Sequence, residues 1–346
     1  MRGRGALHAA RMWLFLARRL ALLAVTVVAI TVVSFIIITL PPGDFVDRIA
    51  LEAEQNGDPL PESVIRDLRD FYGLDQSLAV QWWKWVSGMV FRGDFGFSFG
   101  WDLPVADVIG DRLGLTAVLS ILTLMFIWIV AIPIGIYSAV RKYSLGDYVF
   151  TFVGFIGLAI PNFLLALVLL YISFKYFGQS VGGLFSPEFV NAPWSLARVG
   201  DLISHLWIPL VVLGTAGTAS VIRTIRANLL DELHRPYVLT ARAKGLPERR
   251  LLLKYPVRHS LNPFVSGLNE LFVTIVSGET IVAVVLGLQT VGPLLLGALL
   301  AEDMYLAATL IMFLSFLAVL GTLFSDLLLM ALDPRIRRQA QRQEML

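Results

Sequence analysis

Apolar residues in this chain occur in six long runs separated by polar connectors. Each run has about 20 or more predominantly apolar residues, the length at which an α-helix crosses roughly 30 Å of hydrocarbon. The runs extend approximately from 20 to 40, 113 to 140, 148 to 174, 202 to 222, 263 to 286 and 304 to 332. This pattern predicts an all-α integral membrane protein with six transmembrane helices.

The connector between the first two runs, residues 41–112, has helical periodicity of its own. One apolar face ends at Gly73, and a second apolar stripe follows Asp75, a residue type that favours the start of a helix. The two faces comprise Val64, Ile65, Leu68 and Phe71, then Leu78, Trp82, Trp85, Val86 and Met89. We therefore predict two short amphipathic helices across the outer mouth, which serve either as an interfacial anchor or as a docking surface for a partner.

Charge alternates between successive connectors. Residues 1–19 hold five Arg and no acid, and 41–112 hold thirteen acids against six basic residues. The loop 223–258 holds nine basic residues against three acids, and the tail after 332 adds four Arg. Basic loops stay on the cytoplasmic side of a membrane, so the alternation predicts that both termini are cytoplasmic.

Composition agrees with a polytopic membrane protein. Of the 346 residues, 57% are hydrophobic and 16% are charged, while the net charge of +2 gives no indication of nucleic-acid binding. Cysteine is absent, which excludes disulfides and thiol catalysis.

No linker or repeat divides the chain, which is predicted to form one membrane domain. Its parts are an N-terminal arm with the first span (1–40), an external loop (41–112), a five-span core (113–332) that includes a cytoplasmic loop at 223–262, and a cytoplasmic tail (333–346).

Three sequence patterns would indicate catalysis, metal binding or nucleotide binding. Gly96 to Gly100 matches the G-x-S-x-G pattern of a nucleophile elbow, but the elbow needs a strand before the serine and a helix after it, and here an aromatic loop surrounds Ser98. We interpret the match as coincidence and expect Ser98→Ala to leave function intact. The sequence has neither an H-E-x-x-H metal motif nor a Gly-Lys-Ser/Thr phosphate loop, so a nucleotide that drives this protein must bind to another chain.

Three acidic residues lie inside apolar runs, where a charge needs an aqueous path, a partner or an interface. They are Glu270, Glu279 and Asp326. Glu270 and Glu279 are candidates for the translocation path, and so is Asn162, which follows Pro161 at a predicted helix break. The two glutamates also leave open a stand-alone proton- or ion-coupled carrier.

The loop after the fourth run has paired helix stop and start signals. Residues from Leu229 to Lys244 favour helix apart from a break at Pro236, Gly245 permits the left-handed conformation that ends a helix, and Pro247 with Glu248 begins the next one. Leu251 to Leu253 are predicted to pack this second helix on the bundle. A basic helix that projects from the membrane between two tethered ends can transmit force from another protein, which indicates a driven transporter.

At this loop the chain resembles the inner-membrane permease subunits of bacterial ATP-binding-cassette importers, specifically the dipeptide and oligopeptide permease B group. The matching residues are Tyr237-Val238, Thr240-Ala241-Arg242-Ala243-Lys244-Gly245-Leu246, Glu248-Arg249-Arg250, Arg258 and Pro263. Further matches are Tyr72-Gly73-Leu74-Asp75, Gly93-Asp94-Phe95-Gly96, Ile160-Pro161 and Asp333-Pro334-Arg335. Leu239 and Thr240 stand where the wider superfamily has Glu and Ala.

The resemblance implies a permease subunit of the bacterial inner membrane that catalyses no bond chemistry and holds no cofactor itself. It implies pairing with a second homologous permease, two ATPase subunits that bind ATP and Mg, and an external solute-binding protein that delivers cargo. The residues implied to contact the ATPases are Pro236, Tyr237, Thr240, Ala241, Arg242, Ala243, Lys244, Gly245 and Leu246. The implied cargo is short peptides, with oligosaccharides or other solutes as alternatives.

Overall fold

The structure is a computed structural model that describes residues 21–36, 39, 43, 45–178, 182–267 and 280–332. Their contacts form two compact units, one within 1–114 and 290–319 and the other within 115–289 and 320–346. The fold is mostly helical, as the sequence predicts. The predicted tail at 333–346, the arm at 1–20, Glu270 and Glu279 lie outside the described residues.

The first unit begins with helix α1 (Ala21–Ile36). Three further helices follow, together with a small antiparallel hairpin, before the chain enters the long helix α5. These elements are α2 (Phe45–Gln55), α3 (Glu62–Tyr72), α4 (Leu78–Arg92), β1 (Phe97–Ser98), β2 (Leu103–Pro104) and α5 (Val105–Val140). In the hairpin, Phe97 lies opposite Pro104 and Ser98 opposite Leu103.

Helices α3 and α4 are the two helices that the connector predicts, and α2 is an additional one. The chain leaves α3 through Gly73 in the left-handed region, with φ of 67°. The prediction that Asp75 caps α4 is wrong, because Ser77 occupies the cap position and its carbonyl accepts the N–H groups of Val80 and Gln81. The side chain of Gln81 then donates to the carbonyl oxygens of Leu74 and Gln76 across the turn.

The second unit contains most of the remaining helices. They are α6 (Leu145–Ala159), α7 (Asn162–Ile172) with a π-helical turn at Ser173–Phe177, α8 (Leu196–Leu233), α9 (Pro236–Ala243), α10 (Glu248–Lys254), α11 (Pro256–Ser260), α12 (Asn262–Ser266) and α13, described over 280–285. Helix α14 (Val291–Leu300) belongs to the first unit. The last helix, α15 (Met304–Leu332), contributes residues to both units.

Among the described residues, three helices are long and apolar enough to cross a membrane: α5, α8 and α15 over Met304–Leu328. Helix α6 and the segment Asn162–Tyr176 meet at a bend of 103° and count as a fourth if they form one broken span. The bend falls at Ile160, which is extended because the residue before a proline is disfavoured in the α region. The count of six spans therefore stays a prediction, since much of the fifth lies outside the described residues.

Close helix packing in the second unit depends on glycine. A β-carbon at Gly157 of α6 would lie 2.5 Å from Cγ2 of Thr215 on α8, whereas one at Gly154 would lie 3.6 Å from Cβ of Ala219. The first contact is too close, so the side chain of Thr215 or the two helices must shift, whereas the second is an ordinary van der Waals contact. Small residues at such crossings let helix backbones approach closely within a membrane.

We expect Gly157→Ala to lower the free energy of unfolding by about 2 kcal/mol, the usual cost of overpacking a close contact. Gly154→Ala, one turn earlier on the same helix, serves as the matched control and should change the stability little. The midpoint of thermal unfolding in detergent checks both variants. Equal effects of the two substitutions would show that Gly157 does not set the distance between α6 and α8.

Candidate functional site

The loop between α8 and α12 contains the residues that the sequence singles out, and it folds into three short helices. The chain turns after His234, and Pro236 occupies the first turn of α9, where its missing N–H removes no helical hydrogen bond. Helix α9 ends at Ala243, and Gly245 follows with φ of 76°. The predicted stop at Gly245 and restart near Pro247 and Glu248 are confirmed.

The end of α9 is a Schellman motif. Leu246 donates its N–H to the carbonyl of Ala241 at 3.4 Å, and Gly245 donates to the carbonyl of Arg242 at 3.0 Å. Leu246 also packs against the small cluster that contains Ala241. The two backbone hydrogen bonds and this apolar contact together fix the angle at which the chain leaves the helix.

Helix α9 has a buried underside and an exposed outer face. Val238 and Ala241 are buried and pack against Leu251 of α10. Of the three leucines predicted to pack α10 on the bundle, only Leu251 is buried, while Leu253 is largely exposed. That prediction is wrong in its detail because α10 turns its apolar side towards α9.

The exposed face of α9 carries most of the residues predicted to contact a partner. It comprises Pro236, Tyr237, Leu239, Thr240, Arg242, Ala243 and Lys244. The side chain of Leu239 is unusually apolar for such a position, with 53% of its surface exposed. A projecting helix with this mixed surface is suited to a protein partner.

An ion pair spans the turn between α9 and α10. Arg242 donates from Nη2 to Glu248 Oε1 at 2.5 Å and from Nε to Glu248 Oε2 at 3.2 Å. The hydrogen bond with Arg242 lowers the pKa of Glu248, so the carboxylate stays ionised down to pH values below its usual titration range. The ion pair stabilises the fold fully at pH values above the ordinary pKa of a glutamate. This stabilisation is lost as the pH falls through the lowered pKa of Glu248.

Tyr237 connects α9 to its surroundings. Its hydroxyl donates to a carboxylate oxygen of Glu232 in α8, and its ring lies edge-on to His259 of α11 with the ring centroids 5.6 Å apart. Burial raises the pKa of Tyr237, and the hydrogen bond to Glu232 raises it further, so the hydroxyl remains protonated and able to donate. Helix α9 is therefore held to both α8 and α11.

An ion pair with a buried aspartate and a partly exposed arginine lies near the base of this loop. Arg226 of α8 donates from Nε to Asp147 Oδ1 at 2.9 Å and from Nη2 to Asp147 Oδ2 at 2.8 Å. Asp147 lies in the first turn of α6, where Ser144 accepts its N–H and where Asp147 itself accepts the N–H of Tyr143. Sequence reasoning missed this pair, because nothing local indicates that residues 79 positions apart meet.

An apolar cluster connects the same region to α5. Leu229 of α8, Val257 of α11 and Ala139 near the end of α5 are all buried against one another. The helices that carry α9 thus contact α5 through this cluster, while the ion pair joins α8 to α6. The region that carries α9 thus contacts both α5 and α6.

The structure describes only some of the residues predicted to line a translocation path or to lie as acids inside apolar runs. Asn162 is half-buried and begins α7, directly after the 103° bend. Glu270 and Glu279 lie outside the described residues. Asp326 is half-buried within α15. The structure therefore does not bring these side chains together into a described site.

The serine of the G-x-S-x-G pattern is buried. Ser98 lies in strand β1, has none of its surface exposed and donates its hydroxyl to Asp303 Oδ2 at 2.5 Å. Asp303 also accepts the N–H of Gly100 at 3.0 Å and that of Leu306 at 3.3 Å, so it ties the hairpin to the start of α15. Ser98 is part of a structural clamp rather than an exposed nucleophile.

This clamp changes the expectation for Ser98→Ala. Removing the hydroxyl leaves a buried carboxylate with one donor fewer, which should cost about 2 kcal/mol of stability. Ser87→Ala, which removes a more accessible hydroxyl from α4, is the control and should be nearly neutral. Thermal unfolding in detergent measures both variants, and an unchanged midpoint for Ser98→Ala would mean that the clamp contributes nothing.

The long apolar helices and the loop of short helices between α8 and α12, with its exposed outer face, define a class of protein: a helical membrane protein with a structured loop between two of its apolar helices. Comparison with known families identifies it more closely. The family model described as "Binding-protein-dependent transport system inner membrane component" matches residues 131–338, and the corresponding N-terminal model matches residues 12–120. The chain belongs to this family of permease components.

Individual relatives are similar over nearly the whole chain. The oligopeptide transport system permease protein AppB of Bacillus subtilis is 33% identical over 93% of this chain and 98% of its own length. OppB of Mycobacterium tuberculosis is 30% identical over 83% of this chain and 89% of its own length. The nickel import permease NikB of Staphylococcus aureus is 27% identical over 93% of this chain and 91% of its own length.

A solved structure shares the fold. The inward-facing methionine ABC transporter MetNI contains a chain that matches 65% of this chain and 96% of its own length, with a TM-score of 0.50 and 15% sequence identity. At this identity the likeness shows the fold alone.

Proposed function

We propose that this protein is the transmembrane permease subunit of an ATP-driven importer that translocates short peptides delivered by an external binding protein. Support for the peptide cargo comes from the oligopeptide permeases AppB and OppB, which are 33% and 30% identical to this chain. Support for an external energy source comes from the sequence, which has no phosphate-binding loop of its own.

The proposed assembly contains a second homologous permease, two ATPase subunits that bind ATP and Mg, and the binding protein. The permease itself performs no bond chemistry. It resides in the bacterial inner membrane with both termini in the cytoplasm, as the alternation of charge between its connectors indicates. Its proposed regions are the arm and first span at 1–40, the external loop at 41–112, the core at 113–332 and the tail at 333–346.

The observation that carries this proposal is the geometry of α9. The helix projects its face around Leu239, Thr240 and Ala243, while Val238 and Ala241 hold it to α10. We propose that closure of the ATPase dimer moves α9 and that α8, α11 and the Asp147–Arg226 pair pass the movement to the long helices.

Site-directed crosslinking tests the proposed contact directly, because the chain has no native cysteine. Thr240→Cys on the exposed face of α9 should crosslink to an ATPase subunit in the assembled importer. Asp67→Cys, exposed on α3 in the proposed external loop, is the matched control and should not. Crosslinking from position 67 but not from 240 would reverse the proposed topology and exclude α9 as the contact.

Two alternatives remain distinguishable. A solute other than a peptide is suggested by the 27% identity to a nickel import permease, and competition of labelled dipeptide uptake by peptides, oligosaccharides and nickel complexes separates these cargoes. A stand-alone carrier that uses Glu270 and Glu279 predicts uptake without any ATPase. Uptake that stops when the partner ATPase cannot hydrolyse ATP, and that survives dissipation of the proton gradient, supports the importer.

A further inference from the structure

Helix α4 is apolar on the face that packs against the protein and also on the opposite face. Its inner side contains Trp85, Gln81 and Gly88, which are buried. Its outer side contains Val80, Trp83, Val90 and Phe91, with 60% of Trp83 and 79% of Phe91 exposed. A helix that is hydrophobic all round belongs in a protein core or in a membrane, not in water.

The neighbouring helix α3 provides a contrast within the same connector. Five of its eleven residues are charged, whereas α4 has two charged residues among fifteen, Lys84 and Arg92. Lys84 places its ammonium group near Gly73, at the end of α3, because a β-carbon built on Gly73 would lie 3.9 Å from Lys84 Nζ. The ammonium group of Lys84 thus lies close to the end of the polar helix α3.

The contacts of α4 place it alongside membrane helices rather than beyond their ends. The indole N–H of Trp82 donates to the hydroxyl of Thr31 on α1 at 3.4 Å. At a helical rise of 1.5 Å per residue, Thr31 lies about 8 Å before Ile36 along the axis of α1. Trp85 stacks on Phe35 of α1 with the ring centroids 5.9 Å apart. The same cluster includes Met312, about 12 Å along α15 from its start at Met304.

The neighbouring helix α1 exposes apolar side chains as well. Helix α1, which α4 contacts, exposes Val25, Val28, Val33 and Ile36. At fifteen residues, α4 is about 22 Å long and falls short of the roughly 30 Å needed to span the hydrocarbon. A short, apolar helix with tryptophans, beside α1 and the membrane-length helix α15, matches the properties of one that lies in the interface.

We propose that α4 is embedded in the bilayer at the level of the headgroup and acyl boundary, and that lipid covers its outer face of Val80, Trp83, Val90 and Phe91. The occupant is the lipid bilayer itself, not a soluble partner. The connector is then divided, with α3 in water and α4 in lipid. The proposal depends on the membrane placement that family membership implies and does not depend on the cargo or on ATP.

Spin labels on single cysteines test this in the assembled importer in lipid nanodiscs. Val90→Cys and Trp83→Cys report on the outer face, Val25→Cys on α1 is the lipid-exposed control, and Asp67→Cys on α3 is the water-exposed control. Power saturation compares collisions of each nitroxide with oxygen, which concentrates in lipid, and with a water-soluble nickel chelate. A midpoint of thermal unfolding equal to that of the unlabelled protein verifies that each labelled variant is folded.

We expect the labels at positions 90 and 83 to collide more with oxygen than with the nickel chelate, as the label at position 25 should. The label at position 67 should instead collide more with the nickel chelate. A higher collision rate with nickel would place α4 in water and overturn the proposal. Low collision rates with both reagents would show that another protein chain covers this face, which overturns it equally. Because none of these readouts measures transport, the proposed function stands or fails separately.

Discussion

Replacing Val238 with aspartate is expected to abolish uptake of the transported solute. Val238 has none of its surface exposed and packs against Leu251, so a carboxylate there is buried without a compensating partner. Such a charge costs on the order of 3 kcal/mol, which is enough to detach α9 from α10. In the mechanism that we propose, movement of the ATPase then no longer reaches α8 and α11.

The control variants separate the support of α9 from its contact with the partner. Val238→Ile keeps an apolar side chain and should retain most uptake. Leu239→Asp changes the adjacent, exposed residue, so it should leave the thermal stability of the isolated permease unchanged but weaken copurification of the ATPase. Uptake in membrane vesicles and copurification measure the two effects. Normal uptake by Val238→Asp would show that the packing of α9 on α10 is not needed for coupling.

Replacing Arg226 with alanine is expected to destabilise the permease by about 3 kcal/mol. The substitution removes both hydrogen bonds from the guanidinium group and leaves Asp147, whose side chain is 3% exposed, as a buried carboxylate without its cation. Removing one partner of a buried ion pair is far more costly than replacing both. The midpoint of thermal unfolding in detergent should fall by several degrees.

The double variant Asp147→Asn/Arg226→Gln is the matched control for this pair. It removes both charges at similar volume, so it should recover much of the stability lost in Arg226→Ala. Uptake should follow the same order, because the pair joins α6 to α8 close to the base of the loop between α8 and α12, the coupling loop of the mechanism that we propose. If the double variant is less stable than Arg226→Ala, the loss does not arise from an isolated buried charge.

The coupling loop shows how far local sequence can predict structure. The break at Pro236 and the end of α9 at Gly245 follow from the missing N–H of proline and from the left-handed conformation that glycine adopts easily. Both signals depend on only a few neighbouring residues, and the structure shows both features where the sequence predicts them. The packing of α10 does not follow in this way, because a run of three leucines does not indicate which of them faces a neighbouring helix.

The external connector shows where such reasoning stops. Periodicity predicts α3 and α4, but it misses α2 and assigns the cap of α4 to Asp75 instead of Ser77. The G-x-S-x-G pattern is interpreted as coincidence, and the hydrogen bond from the buried Ser98 to Asp303, 205 residues away, cannot be predicted from the local sequence. In the sequence, a serine that binds a distant helix cap cannot be told apart from a serine in a solvated loop.

By itself, the sequence determined that this is a helical membrane protein, where several of its helices begin and end, and which loop resembles a coupling site. These properties depend on hydrophobic length and on the backbone preferences of single residues, which are local quantities. Only the tertiary structure decided that Asp147 meets Arg226, that Val238 supports α9, and that α4 lies beside α1 with a second apolar face outward. Those contacts join residues far apart in the chain, and their energies exist only once the helices have packed.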